Sequence, residues 1–267
     1  SPIIQVGFKD AYDNITKTET TTTINLSSNS GNGVFSESGS SNWQSTISIT
    51  VPANVSAASF YYMDTISGLY TITASSTSPT ILNSASQNIM VNAGDPIRVD
   101  LKGQDGENVK KDLIKGQSYT LISTLYDLYG NIAGSSGNSR YTLTTTSSTA
   151  TISNPTSYFY SGQTTISNNY LDKVSGTHTV TINVTGIGSD SIILDYAEGS
   201  PHTLSFSPNS ANLRAGQVQP LTLMLLNEFG VELNATSDLD IDLLTNGSGN
   251  YLNSDDPNAS LNTTTFI

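Results

Sequence analysis

The recurrence of short phrases, in a fixed order, constrains this chain more than any other feature of its 267 residues. Asp10-Ala11-Tyr12-Asp13-Asn14 is matched by Asp127-Leu128-Tyr129-Gly130-Asn131 and, less closely, by Asn227-Glu228-Phe229-Gly230-Val231. An apolar, strand-like run follows each copy, so that Leu26, Leu143 and Leu243 stand 16 positions after the first residue (10 to 26, 127 to 143, 227 to 243). A second phrase, Tyr62-Met63-Asp64-Thr65-Ile66-Ser67-Gly68-Leu69-Tyr70-Thr71-Ile72-Thr73, aligns without insertion on Tyr170-Leu171-Asp172-Lys173-Val174-Ser175-Gly176-Thr177-His178-Thr179-Val180-Thr181. Repetition at this spacing predicts an array of domains of about 100 residues, each able to bury its own core.

Between the repeated phrases the hydrophobic period is two. Tyr70, Ile72 and Ala74 alternate with Thr71, Thr73 and Ser75, and residues 178–184 repeat the pattern, as half-buried strands do. Turn clusters at 28–33 and 134–138 separate such runs at the intervals of a sandwich, and no stretch of ten or more residues has a capped 3.6 period. Residues 108–115 are read as a loop leading into Gly116-Gln117, because Leu213-Arg214-Ala215-Gly216-Gln217 repeats Leu113-Ile114-Lys115-Gly116-Gln117. Boundaries are expected at Ala93-Gly94-Asp95-Pro96 and Glu198-Gly199-Ser200-Pro201, where proline fixes one torsion after a glycine turn and leaves little slack. The predicted organisation is a semi-rigid rod of domains at 1–94, 95–199 and 200–267. The first lacks its opening strand and the third its closing strands. Such ends fit either a window on a longer array or completion by strands from a neighbouring subunit.

Composition excludes several classes of function. A net charge of −12 with only ten Lys and Arg presents a repulsive potential to nucleic-acid phosphates. No apolar run of about 18 residues or basic amphipathic stretch predicts membrane contact within this chain. Zero cysteines remove disulfides, thiolate metal sites and cysteine nucleophiles. Charged residues are only 12%, and the polar surface is built from Ser, Thr, Asn and Gly, which do not titrate. That composition suits variable pH or a glycan coat, and also follows simply from threonine on outward strand positions.

The Asp-aromatic-Gly-Asn turn, the later Ser67-Gly68-Leu69-Tyr70 and Ser175-Gly176-Thr177-His178 phrases and the glycine-proline linkers resemble bacterial immunoglobulin-like domains of the invasin and intimin type. Related repeats occur in bacterial and archaeal surface-layer proteins. The likeness covers nearly the whole chain and rests on Asp10, Asn14, Asp127, Gly130, Asn131, Gly68 and Gly176, while the third copy departs at Asn227 and Val231. It implies an all-β fold of tandem immunoglobulin-like antiparallel β-sandwiches with Greek-key connections. It also implies an extracellular, cell-surface location and a role as spacer, lattice or adhesive module.

Candidate sites are few. His178 and His202 have no serine or carboxylate constellation around them, so the chain is predicted not to be an enzyme. Asp238, Asp240 and Asp242 alternate with apolar residues on one strand face, neighbours about 7 Å apart. They read as a solvated face or as calcium ligands, calcium being the one cofactor the sequence suggests. A second oxygen-rich segment is Gln104-Asp105-Gly106-Glu107-Asn108, otherwise a plain turn. Sequons for N-glycans occur at Asn14, Asn25, Asn54, Asn183, Asn234, Asn246, Asn258 and Asn262, about as many as so much Ser, Thr and Asn gives by chance. Trp43, Tyr61, Tyr158 and Tyr160 are either a sugar-stacking platform or core and cross-strand partners. Lys9 beside Asp10 raises a covalent lysine cross-link, which Tyr126 at the matching place in the second copy argues against. The leading expectation is a structural rod, stalk, surface-layer element or filament subunit whose partners are like subunits or neighbouring repeats. The alternatives are an adhesin or carbohydrate-binding module and a noncatalytic segment of a secreted enzyme.

Overall fold

The computed structural model describes residues 3–78, 82–235, 241 and 243. Strands fall into three groups, called units below. The first holds β1 (Ile3–Gly7), β2 (Thr22–Ser28), β3 (Val34–Ser36), β4 (Ile47–Val51), β5 (Ala57–Met63), β6 (Gly68–Ser78) and β7 (Ala85–Val91). The middle unit holds β8 (Arg98–Gly103), β9 (Val109–Ile114), β10 (Ser118–Tyr126), β11 (Ser139–Thr145), β12 (Thr151–Ile152), β13 (Thr156–Phe159), β14 (Thr165–Leu171), β15 (Gly176–Val184) and β16 (Gly188–Ala197). The third contributes β17 (Thr203–Ser207), β18 (Thr222–Leu226) and β19 (Glu232–Leu233). The fold is all-β, of immunoglobulin-like antiparallel sandwich class, and no helix occurs among the described residues.

In the middle unit a sheet ordered β12-β14-β10-β8 faces one ordered β13-β11-β15-β16-β9. Every second side chain points between them. Leu121, Ser123 and Leu125 from β10 meet Val180, Ile182 and Val184 from β15, all at most 1% exposed. Most outward alternates are Thr, Ser and Asn, which pair across strands, as Thr181 with Ser191 at 2.8 Å and Thr120 with Asn169 at 3.1 Å. The first unit repeats the plan with sheets β1-β5-β3 and β4-β2-β6-β7 around Leu26, Phe35, Phe60 and Ile72. Each of these two units has a separate core cluster.

Two strands distinguish the units. The middle unit carries β8, antiparallel to β10, and β9, parallel to β16, and Val99, Leu101 and Leu113 on them are at most 2% exposed. The strand at Val109–Ile114 corrects the expectation of a loop there. Its two lysines hide an alternation whose inward member is Leu113, and its ladder is formed with a strand far along the chain, which local sequence does not reveal. The first unit has no counterpart of either strand among its described residues, so β1 and β7 are edges.

The second repeated phrase folds into a bend. Tyr170 donates its hydroxyl to the buried Asp172 at 3.0 Å, and the same carboxylate accepts the Val174 amide at 3.2 Å. Tyr62, Asp64 and Ile66 repeat this at 2.7 and 3.0 Å. Because β8 closes the middle core, Leu101→Ala is expected to destabilise that unit by about 2–5 kcal/mol while leaving the first unit's transition in place. Denaturant unfolding followed at probes in each unit checks this.

Candidate functional site

The first repeated phrase forms the joints between units. In the middle unit Asp127 folds residues 127–131 into an Asx-type turn: one carboxylate oxygen accepts the amides of Tyr129 and Asn131, both at 2.9 Å. The other accepts Asn131 Nδ2 at 2.8 Å and the amide of the linker residue Gly94 at 2.9 Å. The fourth residue must be left-handed, which Gly130 supplies at φ 86°, Gly230 at 73° and, in the first copy, Asp13 at 69°. The fifth residue reaches out of the turn. Asn131 donates through Nδ2 to Thr65 O at 2.9 Å and accepts the Ser67 amide at 2.9 Å, holding the bend that Asp64 shapes in the first unit. Burial opposes ionisation of Asp127, but the side chain of Asn131 and the amides of Gly94, Asn131 and Tyr129 outweigh it and hold the carboxyl at about 2.

The third copy makes its joint with inverted polarity. Asn227 Oδ1 accepts the amides of Phe229 and Val231, both at 3.0 Å, as Asp127 does in its turn. Its Nδ2 donates to Lys115 O at 2.8 Å and Glu198 O at 3.3 Å, so it bonds a linker carbonyl where Asp127 accepts a linker amide. Asparagine alone therefore both shapes the turn and grips the preceding unit, which frees the fifth position to be Val231. Close approach requires glycine on the other side: a Cβ at Gly116 would lie 2.5 Å from Val231 Cγ2, and one at Gly199 would lie 2.6 Å from Ile114 Cγ2. Buried Lys115 pairs with Glu198, which also accepts the Ser175 hydroxyl at 2.5 Å. Those two bonds, that from Lys115 first, hold the Glu198 carboxyl below the usual range.

The first copy forms the same turn, and among the described residues no other unit is bonded to it. Asp10 accepts the amides of Tyr12 and Asn14, both at 2.9 Å, and Asn14 Nδ2 folds back onto the Asp10 carboxylate at 3.2 Å. Asp10 and Asn14 are exposed, whereas Asp127 and Asn227 are 4% and 1% exposed.

Other candidates are placed as follows. Asp238, Asp240 and Asp242 lie outside the described residues, as do Asn246, Asn258 and Asn262. Among the described residues no three metal-capable side chains cluster. In the 104–108 loop, Asp105 is engaged by the Tyr119 hydroxyl at 2.6 Å and Lys110 Nζ at 2.9 Å, and these bonds hold its carboxyl at about 2. Of the sequon residues, Asn14, Asn54, Asn183 and Asn234 are exposed, while Asn25 is half-buried and bonded to Ser48 at 2.7 Å and Thr77 at 3.3 Å. His178 is half-buried 3.5 Å from Asp172, and His202 is exposed at the second linker. Phe60 and Tyr62 are core residues; Tyr61 and Trp43 are half-buried, and Tyr61 lies beneath Gly39. Tyr158 and Tyr160 are exposed with ring centroids 6.3 Å apart and planes 39° apart. Lys9 pairs with Asp13 at 2.8 Å. Sequence reasoning missed Lys115, Glu198 and the outward reach of Asn131. The departure of the third copy at both its first and fifth positions was the available signal.

No protein-family model and no curated protein matches the chain. Among solved structures it is similar to the S-layer protein SbsC at 17% identity, over 90% of this chain and 30% of that one, with a TM-score of 0.32. Invasin, a bacterial integrin-binding protein, is similar at 16% identity over 88% of this chain and 44% of that one, with a TM-score of 0.36. FdeC, an Escherichia coli adhesin, is similar at 16% identity over 85% and 69%, with a TM-score of 0.42. The chain spans less than half the length of the SbsC and invasin structures.

The two joints are expected to differ in acid. A carboxyl held below its unfolded value of about 3.9 stabilises the fold fully above that pH and loses its contribution as pH falls toward its folded value. Between about pH 4 and 2 the Asp127 turn therefore weakens, whereas the Asn227 turn does not titrate and the second joint loses only the contribution of the Glu198 pair with Lys115. Hydrogen exchange at the Gly94 and Ser67 amides should accelerate over that window. At neutral pH, Asn227→Asp should cost about 1–3 kcal/mol, because a carboxylate would face the Lys115 and Glu198 carbonyls; thermal melts of the third unit would measure it.

Proposed function

We propose that this chain is a structural, extracellular protein: a rod-like stalk, surface-layer element or filament subunit in which the three units are tandem immunoglobulin-like domains at 1–94, 95–199 and 200–267. The observation that carries this reading is the pair of joints in which one turn motif is satisfied by the preceding unit, through Asn131 at the first and Asn227 at the second. Each joint fixes backbone carbonyls or amides by short bonds from a rigid turn, which restricts swivel more than linker length alone does. A chain specialised to span distance needs this and needs no catalytic group. Its partners are like subunits or neighbouring repeats, and exposed Asn183, between inward Ile182 and Val184, is a position where an N-glycan leaves the core undisturbed.

A second reading, an adhesive or carbohydrate-binding module, is favoured by the exposed Tyr158 and Tyr160 pair alone. Small-angle scattering separates rod from globule: a compact chain of this length has a radius of gyration of roughly 18 Å, and the rod should exceed it clearly. Asn131→Ala should broaden the distribution of end-to-end distances without unfolding either flanking unit. A compact radius would sink the rod, and glycan binding abolished by Tyr158→Ala would favour the second reading.

A further inference from the structure

Register places two exposed tyrosines and an unengaged arginine on one sheet face of the middle unit. On β13 Phe159 turns into the core at 0% exposure, so Tyr158 and Tyr160 point away from it, exposed by 42% and 57% with ring centroids 6.3 Å apart. Arg140 on β11 is the cross-strand partner of Tyr158, and its side chain shares that outer face because its neighbours Tyr141 and Leu143 alternate inward. Among the described residues the Arg140 guanidinium makes no ion pair and lies over no ring. Asn138, beside Tyr160, spends Oδ1 on the Ser161 amide at 3.3 Å, which leaves Nδ2 to donate. Every residue of the middle unit is described, and this end of its sheet adjoins the first joint, since Ala133 and Thr164 bond Leu125 at 3.0 and 2.9 Å just before Asp127.

Charge around this patch is unlike that of the whole chain. The net charge is −12, yet on the outer face of β13, β11, β15 and β16 the charged residues are Arg140 and Asp195 alone. Asp190 turns inward, onto the Leu101 amide at 2.7 Å. Asp195 accepts the hydroxyl of Thr177 opposite it at 3.0 Å, whereas Arg140 stands beside Thr185, eight positions along (177 to 185), or roughly 27 Å. That separation exceeds the screening length of about 8 Å in physiological salt. The loops at 134–138, 160–164 and 185–188 hold no charged residue. Arg140 is therefore a local cation on an acidic molecule, with two exposed rings beside it.

We infer that this patch binds an oligosaccharide bearing a carboxylate, adjacent sugar rings lying against Tyr158 and Tyr160 while the carboxylate pairs with Arg140. This rests on the carbohydrate-binding reading and names its ligand class. A sugar's C–H face packs on an aromatic ring, and a phenol makes that contact while its hydroxyl stays in water. Guanidinium meets a planar carboxylate through two parallel N–H donors, and its weak hydration makes the pair less costly to desolvate than one with lysine. Sugar hydroxyls take further bonds from Asn138 Nδ2 and from Thr142, the next outward residue of β11. An acidic peptide would satisfy Arg140 without needing the two rings, so the saccharide accounts for more of the patch.

The test titrates the full chain with a galacturonic acid tetrasaccharide and, separately, with its methyl ester, which keeps the rings and removes the charge. The acid should bind about tenfold tighter than the ester, and added salt should erase most of that difference. Arg140→Gln should lower affinity for the acid about tenfold and leave the ester unchanged, while Tyr160→Ala should weaken both. Neither variant should move the middle unit's melting, since Arg140 holds the Thr185 amide through its backbone carbonyl at 2.9 Å and Tyr160 is exposed. Acid and ester binding equally, or acid binding that ignores Arg140→Gln, overturns the inference; ester binding lost on Tyr160→Ala would then keep the carbohydrate-binding reading alone. A glutamate peptide that binds as tightly as the acid, with Tyr160→Ala without effect, also overturns it. Binding of neither sugar overturns both the inference and the carbohydrate-binding reading, while the rod still stands or falls by scattering.

Discussion

A carboxamide or carboxylate that must satisfy its own turn and its neighbour at once is the constraint on which the architecture depends. At 127–131 and at 227–231 the first side chain spends one oxygen on two amides of the turn, which fixes the loop's shape. What remains of its bonding capacity points at the preceding unit. A turn held by only one of those functions would leave buried polar groups at the joint unpaired, at about 1–3 kcal/mol each. Because both are met by one residue or by a pair four apart, unit and joint stabilise each other.

This double duty explains why the third copy differs. At the first joint an acceptor is needed, since the linker offers the Gly94 amide, and Asp127 with Asn131 provides acceptor and donor separately. The second joint offers carbonyls, those of Lys115 and Glu198, and a donor is needed at the first position. Aspartate there would repel them. The change from Asp to Asn is a change in what the linker presents, and Val231 then packs over Gly116 where Asn131 would otherwise reach.

Much of the fold was legible in the sequence because it is written in local patterns. Alternation in residues 70–75 and 178–184 reads directly as inward Ile72, Ala74, Val180 and Ile182. The Tyr-x-Asp and Asp-x-x-Gly-Asn phrases are turns whose bonds close within five residues, so their chemistry is visible without a partner. What escaped was non-local. β9 is recognisable only beside β16, some eighty residues on, and its lysines make it read as solvent-facing loop. Burial of Lys115 is likewise set by Glu198 and by the third unit's turn rather than by anything adjacent to it. The outward half of Asn131 bonds residues more than sixty positions earlier, so the repeat revealed that the position matters but not what it touches.

The same non-locality shapes how each sandwich closes. In the middle unit the strands that complete the core come first in the chain, while their partners β10 and β16 come after, with β16 near the unit's end. A sandwich built this way cannot seal until its last strand is in place, since among the described residues β9 has no ladder partner but β16. Its opening segment is also poorly tied to what immediately follows, β8 having a single neighbour, β10. A segment that closes the core yet is held along one edge is the element whose removal leaves both a groove and a strand suited to fill it.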